Sequence, residues 1–156
     1  MLSRESAIRE VFNNHGDEAI YITNTGFLSR AISQIYPEKK NIFYMQGSMG
    51  LGPGIGLGIA LNSKKEVVVM IGDGSFLMHM GLCHTIRDYS LSNLHVYIMD
   101  NGCHESVGEY KTSKLEKSYP GIKKIYKISN DGKRERVSIP LIENKKNILE
   151  LLSKDE

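Results

Sequence analysis

Two short polar turns carry the residue types best suited to chemistry. Gly72-Asp73-Gly74-Ser75 follows the apolar run Val67 to Ile71, and Asp100-Asn101-Gly102-Cys103 follows the apolar run Leu94 to Met99. The Asp73 carboxylate, the Asn101 amide oxygen and the backbone carbonyl of Cys103 are hard oxygen donors. Mg²⁺ takes an octahedral shell of oxygens from protein, phosphate and water, so two or three such donors beside a diphosphate would complete it. Gly72 and Gly74 let the backbone turn tightly and approach a ligand. Ser75 opens the next helix, where free N–H groups and the helix dipole favour phosphate. The expected occupant is a magnesium-bound diphosphate.

The elements that must position these turns follow from the pattern of apolar residues. The two β-branched runs read as buried parallel strands, and ligands of open α/β sheets bind at the carboxyl ends of such strands. The connection Phe76 to Tyr89 reads as a helix with Met78, Leu82 and Ile86 on one face. Upstream, Ser3 to Asn14 forms a helix with Ser3 as N-cap and an apolar stripe of Ala7, Ile8, Val11 and Phe12. Ala19 to Ile22 is a short strand, and the turn Thr23-Asn24-Thr25-Gly26 leads into a helix over Phe27 to Ile35. That turn either caps the helix or cradles phosphate, with Asn24 and Thr25 as the contacts. A helix of small residues begins near Pro53. Downstream, residues 113–118 read as a helical turn, Ile122 to Ile128 as a last strand, Asn130-Asp131-Gly132 as a turn, and Lys146 to Leu152 as a closing helix. The expected fold class is α/β: one doubly wound domain over residues 1–156 with a mainly parallel sheet flanked by helices.

Composition narrows the function. A chain of 156 residues suits one α/β domain with a real core. Its 20 basic and 18 acidic residues leave a net charge of +2, and the Lys-rich stretches near 111–124 and 133–146 read as a solvated surface, not a nucleic-acid footprint. Two cysteines, Cys83 and Cys103, make neither a disulfide framework nor a zinc spacing, and the five scattered histidines add no second ligand pair. No apolar run reaches the roughly 20 residues of a membrane span, and the N-terminus lacks the core of a signal peptide. A soluble, cytoplasmic protein is expected. The alternating glycines from Gly50 to Gly58 superficially suggest a dinucleotide fingerprint, but Pro53 interrupts them and no suitable acidic residue follows.

The Gly72-Asp73-Gly74-Ser75 turn, residues 76–99 and then Asp100-Asn101 together resemble the Gly-Asp-Gly to Asn-Asn signature of thiamine diphosphate enzymes. The family usually has Asn where this chain has Asp100; the metal ligand is the second residue of the pair, here Asn101. Gly47-Ser48-Met49-Gly50 is similar to a second family segment. The resemblance implies that the Gly47 carbonyl receives the amino group of the cofactor's pyrimidine, with Ser48 beside it. Met49 would wedge under the cofactor to hold it bent; without the resemblance, Met49 reads equally as a core filler.

The resemblance sharpens over residues 23–30, 41–50 and 100–106. There the chain is similar to the diphosphate-binding part of phosphonopyruvate decarboxylases and to the beta subunit of sulfopyruvate decarboxylases, with the likeness running over about residues 5–110. It implies a thiamine diphosphate- and Mg²⁺-dependent 2-oxoacid decarboxylase that releases CO₂ and an aldehyde. Arg30 and the loop at His104 stand where an anionic head group would be met, and His104 and Glu105 are candidates for proton transfer. The glutamate that activates the pyrimidine lies on a separate domain in this family. A pyrimidine-domain (alpha-type) partner subunit is therefore expected, in a hetero-oligomer with at least two copies of each chain. The Gly-rich 49–61 segment and the first helix are the expected docking surfaces. Beyond Val107 the family pattern fades, which leaves a carboligase of the acetolactate synthase type, or a non-catalytic cofactor-binding module, as alternatives.

Overall fold

The computed structural model describes residues 1–155. In chain order the elements are α1 (Arg4–His15), β1 (Ile20–Thr23), α2 (Phe27–Ile35), β2 (Ile42–Tyr44), α3 (Gly52–Asn62), β3 (Val67–Gly72), α4 (Asp73–Met78), α5 (Leu82–Tyr89), β4 (Leu94–Asp100), β5 (Cys103–His104), β6 (Tyr110–Lys111), β7 (Lys124–Lys127) and α6 (Leu141–Leu152). Five strands make a wholly parallel sheet in the order β2-β1-β3-β4-β7. β5 and β6 form a separate antiparallel ribbon. The chain leaves β1 toward β2 on one side and returns to β3 on the other, so the winding reverses between β1 and β3. The turns after these two strands flank the crevice that such a reversal opens.

Side chains of the central strands alternate between two cores. Val68 and Met70 of β3, with Tyr97 and Met99 of β4, pack against Ile8, Val11 and Phe12 of α1 and Ala31 and Ile32 of α2. Val67, Val69 and Ile71, with Val96 and Ile98, face the opposite way, onto Leu57 and Ala60 of α3 and Cys83 and Ile86 of α5. Strands apolar on both faces are what a sheet covered by helices on both sides requires. The doubly wound α/β class expected from the sequence is the observed one. Ser3 caps α1 as expected, its side chain accepting from the Ser6 N–H at 3.0 Å.

Several local expectations are corrected. The helix expected over residues 76–89 is two helices. α4 starts at Asp73, so Ser75 lies inside its first turn and does not open it, and the chain then breaks at His79 before α5. The break directs the His79 ring to the 49–50 loop, where Nδ1 lies 3.0 Å from the Met49 carbonyl. Met78 is consequently exposed, while Ile86 is buried. Gly50, at φ +95°, fits under that ring because a Cβ there would sit 2.6 Å from both His79 Nδ1 and the Ser75 carbonyl. Residues 113–118 form no helical turn, and residues 130–132 are irregular. The closing helix begins at Leu141, directly after Pro140, and not at Lys146. Its Asn144 is buried and bonds β2 with both ends of its amide, accepting from the Tyr44 N–H at 2.9 Å and donating to the Ile42 carbonyl at 2.7 Å. The apolar stripe of α1 is in the core, so that stripe is not an exposed surface for a partner.

Candidate functional site

A cleft of about 320 Å³ opens at the carboxyl ends of the strands, and it gathers most of the residues that the sequence singled out. Thr25, Met49, Gly72, Asp73, Gly74, Ser75, Asn101, Cys103, His104 and Glu105 all line it. Four elements deliver them: the turn after β1, the loop before α3, the turn after β3 and the turn after β4 with β5. The parallel register makes this possible, because Gly72 at the end of β3 pairs with Met99 near the end of β4. The two turns therefore emerge side by side although 28 positions separate Asp73 from Asn101.

Asp73 sits at the floor of the cleft with 2% of its surface exposed. Thr112 Oγ1 donates to its Oδ2 at 2.5 Å, and no basic side chain among the described residues pairs with it. Burial, helped by the nearby Asp100 charge, raises the pKa of this carboxyl, while the Thr112 hydrogen bond pulls the other way. A carboxylate desolvated without a counter-charge is unfavourable, and a bound cation is what would offset it. The donor set therefore fits a hard divalent ion: one carboxylate and the Asn101 amide oxygen, facing a cleft wide enough for phosphate and water.

Asn101 is held from behind. Its Nδ2 donates to Glu105 Oε2 at 3.2 Å and to Asn130 Oδ1 at 2.8 Å, while its Oδ1 accepts from the Cys103 N–H at 3.3 Å. Glu105 is buried and ion-paired with Arg4, which also pairs with Asp131. The Gly132 N–H completes the set by donating to Glu105 Oε1 at 3.3 Å. His104 packs against bare glycine backbone, since a Cβ on Gly74 would lie 2.5 Å from its ring. Asp100, which stands where Asn is usual, is also built in: its carboxylate accepts from the Gly102 N–H at 3.0 Å and pairs with Lys127.

Three predicted contacts do not line the cleft. Asn24 is fully buried, and its Oδ1 accepts from the Thr25 and Gly50 N–H groups at 2.8 and 3.3 Å, which ties the end of β1 to the 49–50 loop. Its Nδ2 has no partner among the described residues. Gly47 and Ser48 lie on the exposed part of that loop, Ser48 at φ +50°, with its carbonyl accepting from the Leu51 N–H at 3.0 Å. Sequence reasoning missed Arg4, Thr112 and Arg136. Arg4 reaches Glu105 across 101 positions, a distance over which no local pattern signals contact. Arg136 and Arg30 border both this cleft and a neighbouring cavity of about 240 Å³. Arg30 donates to the Arg134 carbonyl at 3.0 Å and lies over the Phe27 ring; neither arginine has a carboxylate partner among the described residues.

The family model for the C-terminal TPP-binding domain of thiamine pyrophosphate enzymes matches residues 11–136. The chain belongs to this thiamine pyrophosphate enzyme family. Within the family, it is 39% identical over 109 residues to sulfopyruvate decarboxylase subunit beta of Methanocaldococcus jannaschii, covering 70% of this chain and 57% of that one. It is 41% identical over 112 residues to the subunit of the same name from Methanothermobacter thermautotrophicus, covering 72% and 60%. Phosphonopyruvate decarboxylase of Streptomyces hygroscopicus is 33% identical over 120 residues, or 77% of this chain and 30% of that one. The chain thus spans less than two thirds of the length of these relatives. Among solved structures, an X-ray structure assigned as a thiamin diphosphate-dependent enzyme from Mycobacterium smegmatis aligns with a TM-score of 0.54 at 22% identity, over 74% of this chain and 24% of that one. That likeness bears on the fold alone. As a thiamine pyrophosphate-binding domain, the chain is related to the sulfopyruvate and phosphonopyruvate decarboxylases. Among the described residues, no helix is long and apolar enough to cross a membrane.

Proposed function

We propose that this chain is the diphosphate-binding half of a thiamine diphosphate- and Mg²⁺-dependent decarboxylase that acts on a small anionic 2-oxoacid of the sulfopyruvate or phosphonopyruvate class. One observation carries the reading: the cleft collects the predicted donors around a buried Asp73 that has no basic partner of its own among the described residues. Asp73, Asn101 and the Cys103 carbonyl would hold Mg²⁺, Thr25, Gly72, Gly74 and Ser75 would meet the diphosphate, and Met49 would support the cofactor from the side. When bound, thiamine diphosphate supplies the electron sink for breaking the bond between a 2-oxo carbon and its carboxylate.

The chain's own residues then divide the remaining work. Arg30 and Arg136 attract the anionic head, because two guanidinium groups without carboxylate partners border the cleft. His104 moves the proton at the cleft wall, its position fixed by contact with Gly74. Glu105 holds Asn101 in place through the hydrogen bond between them. Its carboxylate is committed to Arg4, so the proton-transfer role expected of the pair falls to His104. The Cβ-less surface of Gly72 keeps the floor open, with only the Met99 carbonyl, at 4.0 Å, near a Cβ placed there.

A pyrimidine-domain subunit completes the enzyme in this reading. The names of the two beta-subunit relatives support it, as does an apolar cavity of about 780 Å³ at Ile55, Ile59, Leu61 and Leu152, away from the cleft. The test is to co-express the chain with an alpha-type subunit and assay CO₂ release from a panel of 2-oxoacids, with Mg²⁺ and thiamine diphosphate present. Decarboxylation of sulfopyruvate or phosphonopyruvate by the pair, and none by this chain alone, is the expected result. Full activity of the isolated chain, or a pair that only joins two 2-oxoacids, would overturn the reading.

A further inference from the structure

At the opposite end of the sheet, three side chains from separate elements converge. His15 ends α1, Glu66 directly precedes β3, and His95 is the second residue of β4. Glu66 Oε1 lies 2.9 Å from His15 Nδ1 and 2.9 Å from His95 Nε2. All three ligand atoms fall within 4.8 Å of one another. The same parallel register that aligns the turns at the carboxyl end places these residues together, since Val67 pairs with Leu94. The sequence expectation that the histidines supply no second ligand pair is therefore corrected: the fold makes one from residues 15 and 95.

We propose that His15 Nδ1, the Glu66 carboxylate and His95 Nε2 form a binding site for a divalent transition-metal ion of the zinc class, pinning the end of α1 to the starts of β3 and β4. Two imidazoles and a carboxylate are a donor set for Zn²⁺ or Co²⁺ and not for Mg²⁺, which takes oxygen. Bonds of about 2.0–2.1 Å set the edge of a tetrahedron at roughly 3.3 Å. The two Glu66 contacts, at 2.9 Å each, need to open by only a few tenths of an ångström to reach that edge. Glu66 is 39% exposed, which leaves a fourth position to water.

The environment of His15 is that of a ligand. Its side chain is 94% buried, and Nδ1 makes no hydrogen bond among the described residues although the Glu66 carboxylate is 2.9 Å away. Its other nitrogen, Nε2, lies 2.7 Å from the Tyr97 hydroxyl. A tyrosine hydroxyl can accept the Nε2–H at this distance. An outer partner of this kind fixes the tautomer of a metal-bound histidine and leaves the facing nitrogen as a lone pair.

The test uses the full chain stripped with a chelator and then titrated with Co²⁺ alone, followed by displacement with Zn²⁺. One equivalent of Co²⁺ should give the intensified visible bands of a four-coordinate ion, and Zn²⁺ should abolish them. His95→Ala and Glu66→Gln should each weaken binding by at least about 100-fold, and Tyr97→Phe by about 10–100-fold. Asp73→Asn and Cys103→Ser, at the cleft, should leave the bands unchanged, and circular dichroism checks that every variant is folded. Spectra of hydrated Co²⁺ only, or bands that survive His95→Ala and vanish in Cys103→Ser or Asp73→Asn, would overturn the proposal.

Discussion

At the carboxyl end of the sheet the polar groups come from the segments that leave the strands; at the amino end they come from the last residue of α1, the residue before β3 and the second residue of β4. Asp73, Asn101 and Cys103 depend on other loops for their orientation, through Thr112, Glu105 and Asn130. His15, Glu66 and His95 are carried at the end of α1 and at the starts of β3 and β4. A site built from turns can accept a large ligand and adjust to it, whereas one built on element ends is small and stiff. The seven-residue step from Glu66 to Asp73 puts the two ends about 23 Å apart at the rise of an extended strand, far enough for changes at one to add to changes at the other.

The largest effect should come from Asp73→Ala. Removing the buried carboxylate that lacks a basic partner among the described residues should lower Mg²⁺-dependent thiamine diphosphate affinity by about 100-fold or more, measured by calorimetry. The amino-terminal end should not register the change. Binding like wild type would show that the cleft does not use Asp73, and the contrast between the ends would fail.

Arg4→Ala comes next. It leaves Glu105 buried without its partner, which should cost about 3–5 kcal/mol in denaturant unfolding, and it should loosen Asn101 through the shared hydrogen bond. Replacing both members, Arg4→Met with Glu105→Leu, should recover much of the stability and none of the cofactor affinity. Recovery of affinity in the double variant would mean that Asn101 needs no support from behind.

Between the ends lies the shared scaffold. A Cβ on Gly56 would meet Val69 Cγ2 at 2.5 Å and Leu94 Cδ1 at 3.3 Å. Gly56→Ala should therefore cost about 1–3 kcal/mol by overpacking α3 against the sheet, with ligand affinity at both ends kept in the folded fraction. The smallest effect is a thiol contrast. Cys83 is buried, and burial raises its pKa, while Cys103 is half-buried in the cleft. An alkylating reagent should modify Cys103 first, and Mg²⁺ with thiamine diphosphate should slow that reaction. Equal rates for the two thiols, with no protection, would place the ligand elsewhere.

The legible part of the chain was the part where local pattern and tertiary place agree. The runs ending at Ile71 and Met99 are apolar on both faces and end in glycine turns, so the strands, their direction and the Asp73 and Asn101 turns could all be read from the sequence. β2 is only Ile42–Tyr44 and was hidden between a charged loop and a glycine-rich segment. The helix break at His79 goes with a contact to the Met49 carbonyl 30 positions away, which no local pattern signals, and α6 begins directly after Pro140. The supports of the cleft were the least legible. Arg4, Thr112 and Arg136 are ordinary polar residues until the fold brings them to the cleft. Glu105 was readable as a titratable group, yet not as the partner of a buried arginine.

The bond pair between Asn144 and β2 has a further consequence. β2 is one of the two outer strands of the sheet, and an outer strand with free N–H and C=O groups invites another chain to add to it. One side-chain amide occupies both the Tyr44 N–H and the Ile42 carbonyl, so α6 serves as a guard against self-association, using a single residue where an added strand would use a whole ladder.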